Sequence, residues 1–346
     1  MEILRLAGII IGLIVLFSIW FVRFRLKRLR NLDWLVGTIL SIGLVLLGLF
    51  PDIYNTFLSL FSFQKGGGGR LIGLLIFSNL FVYLLVYIAL SRGNRAEQLV
   101  DRLVRELAKK EFRKTHNPDD APIQIIIPAY NEAENIGAVL ETMPKEIFGL
   151  RTKPIVVIDG ATDDTEEVVS QLNRAAISYT VNRGGGSALK AGYEISLEYG
   201  ADIVVTLDAD GQHLPEEIGN LVKPILTGEA DLVNGSRVLG SYEKDNYVRA
   251  TGVVVFNWLV SLLTMTRITD CSNAFRAIRA SELAKLDLRQ SQFHTSELLI
   301  DALKKGLRVK EVPITIRKRM SGESKKPPSL RYSWGFTKAI FSTWLR

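Results

Sequence analysis

The sequence predicts two kinds of structure in one chain of 346 residues: an all-α transmembrane domain, followed by an α/β domain with a doubly wound sheet. Three long apolar runs occupy the first 90 residues, and short apolar runs alternate with helical patterns from residue 121 onward. Short, wholly apolar runs are typical of buried parallel strands. In such a sheet, ligands bind at the carboxyl ends of the strands. Functional residues are therefore expected directly after each strand.

The apolar runs predict three transmembrane helices at about 6–22, 35–51 and 71–90, within a transmembrane domain over residues 1–91. A spanning helix needs about 20 apolar residues, with a lower limit near 17. Basic residues follow the first and third runs, and the positive-inside rule assigns both basic segments to the cytoplasm. The chain is thus expected to be a multi-pass integral protein of the cytoplasmic membrane, with its α/β domain on the cytoplasmic side.

Residues 92–120 are predicted to form a basic amphipathic helix and a linker, with the helix either on the bilayer surface or packed on the next domain. Residues 121–326 form the predicted α/β domain, and residues 327–346 form an interfacial amphipathic tail. The predicted strands are 123–127, 154–158, 178–181, 203–207 and 231–234, and the predicted helices are 133–142, 163–175, 187–199 and 215–227.

Composition and charge exclude several classes of protein. Hydrophobic residues make up 47% of the chain and the mean hydropathy is +0.17, which is not the profile of a disordered protein. The single cysteine, Cys271, excludes a disulfide framework and a cysteine-built zinc site. Net charge is +9 over residues 1–117 and −2 over residues 118–346. Positive charge that flanks apolar runs favours a membrane bilayer as partner and argues against a nucleic acid.

Polar clusters follow four successive predicted strands. Asp208 and Asp210 are the most informative, because two carboxylates two residues apart after a buried strand suit Mg²⁺ or Mn²⁺. Such an ion is usually held by one or two carboxylates together with substrate phosphates. The four clusters are 128–132, 159–165, 182–190 and 208–213.

In combination, these clusters resemble the family 2 glycosyltransferases of the GT-A fold, over residues 122–326. The closer similarity is to polyprenyl-phosphate hexosyltransferases, such as dolichol-phosphate mannose synthases and undecaprenyl-phosphate glucosyltransferases. Two departures from the family pattern are the run of three glycines at 184–186 and the pair Asn273-Ala274, where Ser/Thr-Gly is more usual. The matching motifs are PAYNE, VIDGATDDT, LDADGQH, GSR at 235–237, Arg249, DCSNAFR at 270–276, EVP at 311–313 and RMSGESK at 319–325.

The resemblance implies a nucleotide-diphosphate sugar as donor, either GDP-mannose or UDP-glucose, and a dolichyl or undecaprenyl phosphate as acceptor. The implied catalytic residues are Asp208, Asp210, Asp270 and Arg237. Implied donor-binding residues are Pro128, Tyr130, Glu132, Asp159, Gly186, Lys190, Asp208, Arg319 and Lys325. The acceptor phosphate would be bound by Arg237 and Arg249, and the metal by Asp210, Gln212 and Asp208.

A phosphate acceptor explains why no His or Glu stands out as a general base. A phosphate monoester has a second pKa near 6, so its oxygen is already ionised at neutral pH. The site needs cations to position it, and arginine can clamp phosphate bidentately. A single in-line displacement would invert the anomeric carbon and convert an α-linked donor into a β-linked product.

Other functions remain open at this point. One is a non-enzymatic membrane scaffold built on an inactive transferase fold, and another is a transferase with a different lipid acceptor. A processive polysaccharide synthase would normally carry a Q-x-x-R-W motif, which is missing from this sequence. A haloacid-type phosphatase would need Thr or Val at the position of Gln212. The sugar, the nucleotide base, the polyprenol and any homo-oligomer are not determined by the sequence.

Overall fold

The computed structural model of the chain describes residues 2–24, 31–50, 67–116, 121–242, 247–319, 321 and 330–346. The chain divides into two compact units, Met1–Arg95 and Ala96–Arg346. The first unit contains α1 (Glu2–Phe24), α2 (Asn31–Leu49) and the first part of α3 (Gly67–Thr115).

The three predicted apolar runs fall in these helices, but the membrane prediction is wrong. Among the described residues, no helix combines the length and the apolar composition that crossing a bilayer requires. The three helices also carry charge, with Arg5 in α1, Asp33 in α2 and a basic second half in α3. The second predicted span, 35–51, continues past the end of α2, and its last residue lies outside the described residues. The expected multi-pass localisation is therefore contradicted, and the expected transmembrane domain is not supported.

The second unit is an α/β domain built around one mixed sheet. Its strands lie in the order β4-β3-β1-β5-β7-β6-β8, and β2 pairs with the start of β3. The strands are β1 (Ile123–Ala129), β2 (Glu146–Ile147), β3 (Leu150–Asp159), β4 (Ala175–Tyr179), β5 (Ile203–Thr206), β6 (Leu232–Tyr242), β7 (Arg276–Arg279) and β8 (Val309–Ile316). The helices are α4 (Ala133–Glu141), α5 (Thr165–Gln171), α6 (Gly185–Glu198), α7 (Ile218–Leu226), α8 (Tyr247–Thr264), α9 (Ala280–Leu283), α10 (His294–Lys304) and α11 (Leu330–Trp344).

The central strands are buried on both faces, which explains their apolar composition. Ile125 and Ile126 point to opposite faces of β1, and both are fully buried in separate core clusters. β7 runs antiparallel to both β5 and β6, whereas β4, β3, β1 and β5 are parallel neighbours. The parallel part brings the ends of β1, β3 and β5 to one edge of the sheet.

The basic part of α3 packs on α6 through ion pairs. Lys109 is 4% exposed and bonds to Glu194, and Arg113 donates to Glu198 at 2.9 Å. Of the two expected positions for this helix, the structure therefore shows packing on the catalytic domain. Its opposite face leaves Leu103 and Leu107 exposed.

A carboxylate at the start of β6 gives a pH-dependent contribution to stability. Asp231 accepts from the Nε of Arg308 at 2.9 Å and from its Nη2 at 2.6 Å, and these hydrogen bonds lower the pKa of Asp231. A carboxyl group with a lower pKa in the folded than in the unfolded state stabilises the folded protein at pH values above the unfolded pKa, which is near 3.9. This contribution is lost as the pH falls through the pKa of the folded state. Asp231→Asn should therefore reduce the free energy of unfolding at pH 7 and have a smaller effect at about pH 3.

Denaturant titrations at the two pH values test this expectation. Asp202→Asn is the matched control, because Asp202 is exposed and no side-chain bond of its carboxylate is recorded among the described residues. An Asp231→Asn effect of the same size at both pH values would contradict the ion-pair explanation.

The single thiol should be unreactive in the folded protein. Cys271 is 0% exposed, and burial together with the charge of Asp270 raises the pKa of its thiol to about 12. The thiolate is the nucleophile in alkylation and disulfide exchange. An aromatic disulfide reagent should thus label Cys271 only after unfolding in guanidinium, and labelling at equal rates in both conditions would show that the loop opens.

Candidate active site

The two carboxylates of the D-x-D motif lie in the turn that follows β5. The Oδ1 of Asp210 accepts the backbone N–H of Gln212 at 3.2 Å, which closes this turn. Burial raises the pKa of the Asp210 carboxyl, and the charge of Asp208 raises it further. A partly buried turn that holds two carboxylates so close together favours a cation.

Arg319 supplies positive charge to this turn. Its Nη2 lies 3.8 Å from the Oδ2 of Asp210 and bonds directly to the Oε1 of Glu132. Asn135 donates to the other Glu132 oxygen at 2.7 Å, and Ser321 donates to Asn135 at 2.8 Å. The structure therefore brings together three predicted site residues from the loops after β1, β5 and β8: the donor residues Glu132 and Arg319 and the metal residue Asp210.

The loops after β1 and β3 are joined by side-chain bonds. Asn131 has a φ of +52°, in the left-handed region, and its Oδ1 accepts the backbone N–H of Thr162 at 2.8 Å. Thr165 accepts the backbone N–H of Glu132 at 2.9 Å. These bonds hold the carboxylate of Glu132 at the sheet edge.

Asp159 organises the glycine-rich turn before α6. Its two oxygens accept the backbone N–H groups of Arg183 and Gly184, each at 2.7 Å. Burial raises the pKa of the Asp159 carboxyl, while these two donors oppose the rise. Each carboxylate oxygen has a second lone pair, so Asp159 can fix the turn and still accept a ligand hydrogen bond.

Gly186 is required by close packing. A Cβ at this position would lie 2.2 Å from the carbonyl oxygen of Gln290, and the Gly186 N–H already donates to the carbonyl of Ser291 at 2.7 Å. One turn later, Lys190 is half-buried, and burial lowers the pKa of its ammonium group. Lys190 and Gly186 line a small enclosed cavity together with Arg276.

Arg237 at the end of the buried part of β6 is fixed by Asp270. Its Nε donates to Oδ2 of Asp270 at 2.7 Å and its Nη2 to Oδ1 at 3.3 Å. The Asp270 carboxylate is 0% exposed, while the Arg237 side chain is 24% exposed. Ser272 accepts a further bond from Arg237 at 3.2 Å. Asp270 therefore orients the guanidinium, and part of Arg237 stays accessible.

The structure gives fewer contacts, or none, for the other predicted site residues. Pro128 and Tyr130 are half-buried at the end of β1. Gln212 donates its side-chain amide to the carbonyl of Arg317 at 3.0 Å, which leaves the amide oxygen as its metal-type donor atom. Arg249 lies in α8, and its side chain is not among those described; Lys325 lies outside the described residues.

Three residues that support the site were not identified from the sequence. Glu311 accepts the backbone N–H of Thr269 at 2.7 Å and that of Asp270 at 3.1 Å. Asn257 accepts the N–H of Cys271 at 2.9 Å, and His213 bonds to Asn273 at 3.0 Å. The only sequence signal for Glu311 was the EVP motif. Asn257 and Cys271 are 14 residues apart and His213 and Asn273 are 60 apart, so no local sequence pattern predicts these hydrogen bonds.

The donor set fits a hard divalent cation. Within the described residues, no group of three or more His, Cys, Asp or Glu side chains could hold a metal ion. A site of one or two carboxylates completed by substrate phosphates is nevertheless the usual arrangement for Mg²⁺. Asp208 and Asp210 suit such a site, with the amide oxygen of Gln212 as a further donor.

The mixed sheet with an antiparallel β7, the D-x-D turn after β5 and Arg319 beside that turn are the features of a glycosyltransferase of the GT-A type. The family model described as "Glycosyl transferase family 2" matches residues 124–286. This chain belongs to that family and is a glycosyltransferase.

Relatives and solved structures agree with this assignment. The UDP-N-acetylglucosamine–dolichyl-phosphate N-acetylglucosaminyltransferase of Methanococcus voltae is 33% identical, over 56% of this chain and 85% of its own. The polyprenol monophosphomannose synthase of Mycolicibacterium smegmatis is 32% identical, over 64% of this chain and 86% of its own. The crystal structure of glucosyl-3-phosphoglycerate synthase from Mycobacterium tuberculosis, in complex with Mn²⁺ and UDP, has a TM-score of 0.52 and 22% identity, over 68% of this chain and 82% of its own. At that identity, it supports the fold alone.

Proposed function

We propose that this enzyme transfers a hexose, mannose or glucose, from a nucleotide-diphosphate sugar to a polyprenyl phosphate. The product is a polyprenyl-phosphate sugar with the opposite anomeric configuration. The observation that carries the proposal is the pairing of an acidic D-x-D turn with two separately anchored arginines, Arg319 and Arg237. The activities named for the Methanococcus and Mycolicibacterium relatives support a polyprenyl-type phosphate as the acceptor.

On the donor side, Asp208 and Asp210 hold the divalent ion, with Gln212 as a further ligand. A bound Mg²⁺ or Mn²⁺ supplies Lewis-acid neutralisation of the departing nucleoside diphosphate. Arg319 lies 3.8 Å from Asp210, where it can exchange its contact with Glu132 for a diphosphate oxygen. Glu132 and Asp159, with Pro128 and Tyr130, bind the nucleoside.

On the acceptor side, Arg237 binds the lipid phosphate, aided by Arg249. Asp270 holds the guanidinium group of Arg237 by two hydrogen bonds, so the Arg237 side chain loses little conformational entropy when it binds the lipid phosphate. The phosphate oxygen attacks the anomeric carbon while the bond from that carbon to the diphosphate breaks. Because the nucleophile is already ionised near neutral pH, no general base is required.

A transfer assay with matched substrates tests the proposal. The enzyme, Mn²⁺ and each of GDP-mannose, UDP-glucose and UDP-N-acetylglucosamine are incubated with a polyprenyl phosphate, with the dephosphorylated polyprenol or with a short phosphate monoester. We expect a labelled glycolipid only with the polyprenyl phosphate and with one preferred sugar nucleotide. Transfer to the free alcohol would contradict the phosphate acceptor, and transfer only to the short monoester would contradict the lipid acceptor.

The same assay distinguishes an enzyme from a scaffold. A scaffold on an inactive fold predicts no release of UDP or GDP with any acceptor, although a nucleotide could still bind. Acceptor-dependent nucleotide release would exclude it.

A further inference from the structure

One chain of three hydrogen bonds, two buried and one partly buried, connects the two halves of the proposed site. The backbone N–H of Asp208 donates to Nδ1 of His213 at 3.3 Å, and Nε2 of His213 lies 3.0 Å from Oδ1 of Asn273. Asn273 in turn donates from Nδ2 to the carbonyl of Gly235 at 2.6 Å. These four groups are called the His213 relay below. One end is the backbone N–H of Asp208, the first residue of the D-x-D turn, and the other is the carbonyl of Gly235, two residues before Arg237.

Only one assignment of donors and acceptors is consistent with all three hydrogen bonds of the relay. Nδ1 of His213 accepts a backbone N–H, so the ring proton belongs on Nε2, which donates to the Asn273 oxygen. The Asn273 amide must then present its nitrogen to Gly235. His213 is 4% exposed and Asn273 is 2% exposed, so neither can replace a lost partner with bulk water.

Packing fixes the ring at the centre of the relay. The His213 ring lies against Phe275 with centroids 5.0 Å apart, and His213 also forms a bridge with Ile316 at the end of β8. The imidazole therefore cannot rotate away while its bonds persist. The result is a rigid spacer between the D-x-D turn and the strand that carries Arg237.

We propose that His213 and Asn273 are positioning residues, which set the distance between the bound donor and the acceptor phosphate. The proposal rests on the function proposed above. Neither side chain needs to touch a substrate. A displacement of about 1 Å in the relative position of two reactants can cost about 100-fold in rate. Loss of the relay should therefore lower kcat and leave the affinity for each substrate almost unchanged.

Steady-state kinetics of single variants test whether loss of the relay lowers kcat without changing the affinity for either substrate. Asn273→Ala should lower kcat by about ten- to 100-fold, with the KM values for both substrates within about twofold of wild type. Tyr193→Phe is the matched control, because it removes another buried bond, from Tyr193 to Thr206 at 3.0 Å, without breaking a link between the two halves. An unchanged kcat in Asn273→Ala, or a rise in either KM as large as the fall in kcat, would overturn the proposal.

A double variant tests whether the two residues act as one unit. His213→Gln combined with Asn273→Ala should be no slower than the slower single variant, because either change already breaks the relay. Losses that multiply would mean two independent roles and would contradict the relay.

A spectroscopic measurement is independent of activity and of the proposed function. The sequence has three histidines, so ¹⁵N-histidine labelling gives three imidazole patterns, and His213→Gln assigns one of them. We expect His213 to show the Nε2-protonated tautomer at neutral pH and to change its pattern in Asn273→Ala. An Nδ1-protonated ring would overturn the relay even if transfer is observed, whereas a missing transfer activity with the expected tautomer would contradict only the proposed function.

Discussion

Replacing Asp210 with asparagine should reduce sugar transfer by about three orders of magnitude, since a bound metal contributes several kcal/mol of charge stabilisation in such reactions. Asparagine preserves the turn, because its Oδ1 can still accept the Gln212 N–H that Asp210 accepts at 3.2 Å. The substitution therefore removes the negative charge and leaves the local hydrogen bond. Asp210→Ala should be at least as inactive, and it would also lose the turn bond.

Transfer rates at saturating Mn²⁺, with thermal unfolding as a check on folding, provide the measurement. Asp202→Ala is the matched control, since Asp202 is an exposed carboxylate just before β5, at the opposite end of the same strand. We expect this control to retain the wild-type rate, and removal of metal with EDTA to inactivate the wild type. An Asp210→Asn protein with full activity in EDTA would exclude the metal site.

The part of the fold that depends on local pattern was predictable. Ile123–Ala129 and Ile203–Thr206 are wholly apolar or nearly so, and both predicted strands are confirmed within two residues. The fourth strand was placed at 178–181, but it spans Ala175–Tyr179, and Val181 is 57% exposed beyond its end. Val181 is apolar but lies in the turn after the strand, so the apolar pattern continued past the end of the strand.

Long-range pairing was not predictable from the same pattern. β7 reads Arg276-Ala277-Ile278-Arg279, and a strand with arginine at a buried position has no apolar signature. Arg276 is 3% exposed and is satisfied in part by the carbonyl of Cys271 at 3.1 Å. The predicted strands were expected to be parallel, whereas β7 runs antiparallel to both of its neighbours and makes the sheet mixed.

In the candidate site, too, the local arrangement was predictable from the sequence and the long-range pairing was not. Asp208 and Asp210 are only two residues apart in the sequence, so their proximity was predictable. The pairing of Arg237 with Asp270 joins residues 33 positions apart, and that of Arg319 with Glu132 joins residues 187 apart. Each of these four residues had been predicted as a separate catalytic or binding residue, and only the folded chain shows that they form two ion pairs.

The two arginines should have separable effects on binding. Arg319 lies beside Asp210 and Glu132, so Arg319→Ala should weaken the binding of nucleotide sugar in the absence of acceptor. A charge-assisted hydrogen bond contributes about 1.5 to 3 kcal/mol, which corresponds to roughly ten- to 150-fold in affinity. Arg237→Ala should leave donor binding unchanged and raise the KM for polyprenyl phosphate by a similar factor.

Arg237→Ala alone would leave the buried carboxylate of Asp270 without its main partner, which can destabilise the protein. The double variant Arg237→Ala with Asp270→Asn removes both charges and isolates the loss of the phosphate contact. Arg289→Ala is the control for a lost surface charge, because Arg289 is exposed and pairs with Asp287. Calorimetric titration with nucleotide sugar and Mn²⁺ measures the donor step. If the double variant binds donor as weakly as Arg319→Ala does, Arg237 acts on the donor and its assignment to the acceptor phosphate is wrong.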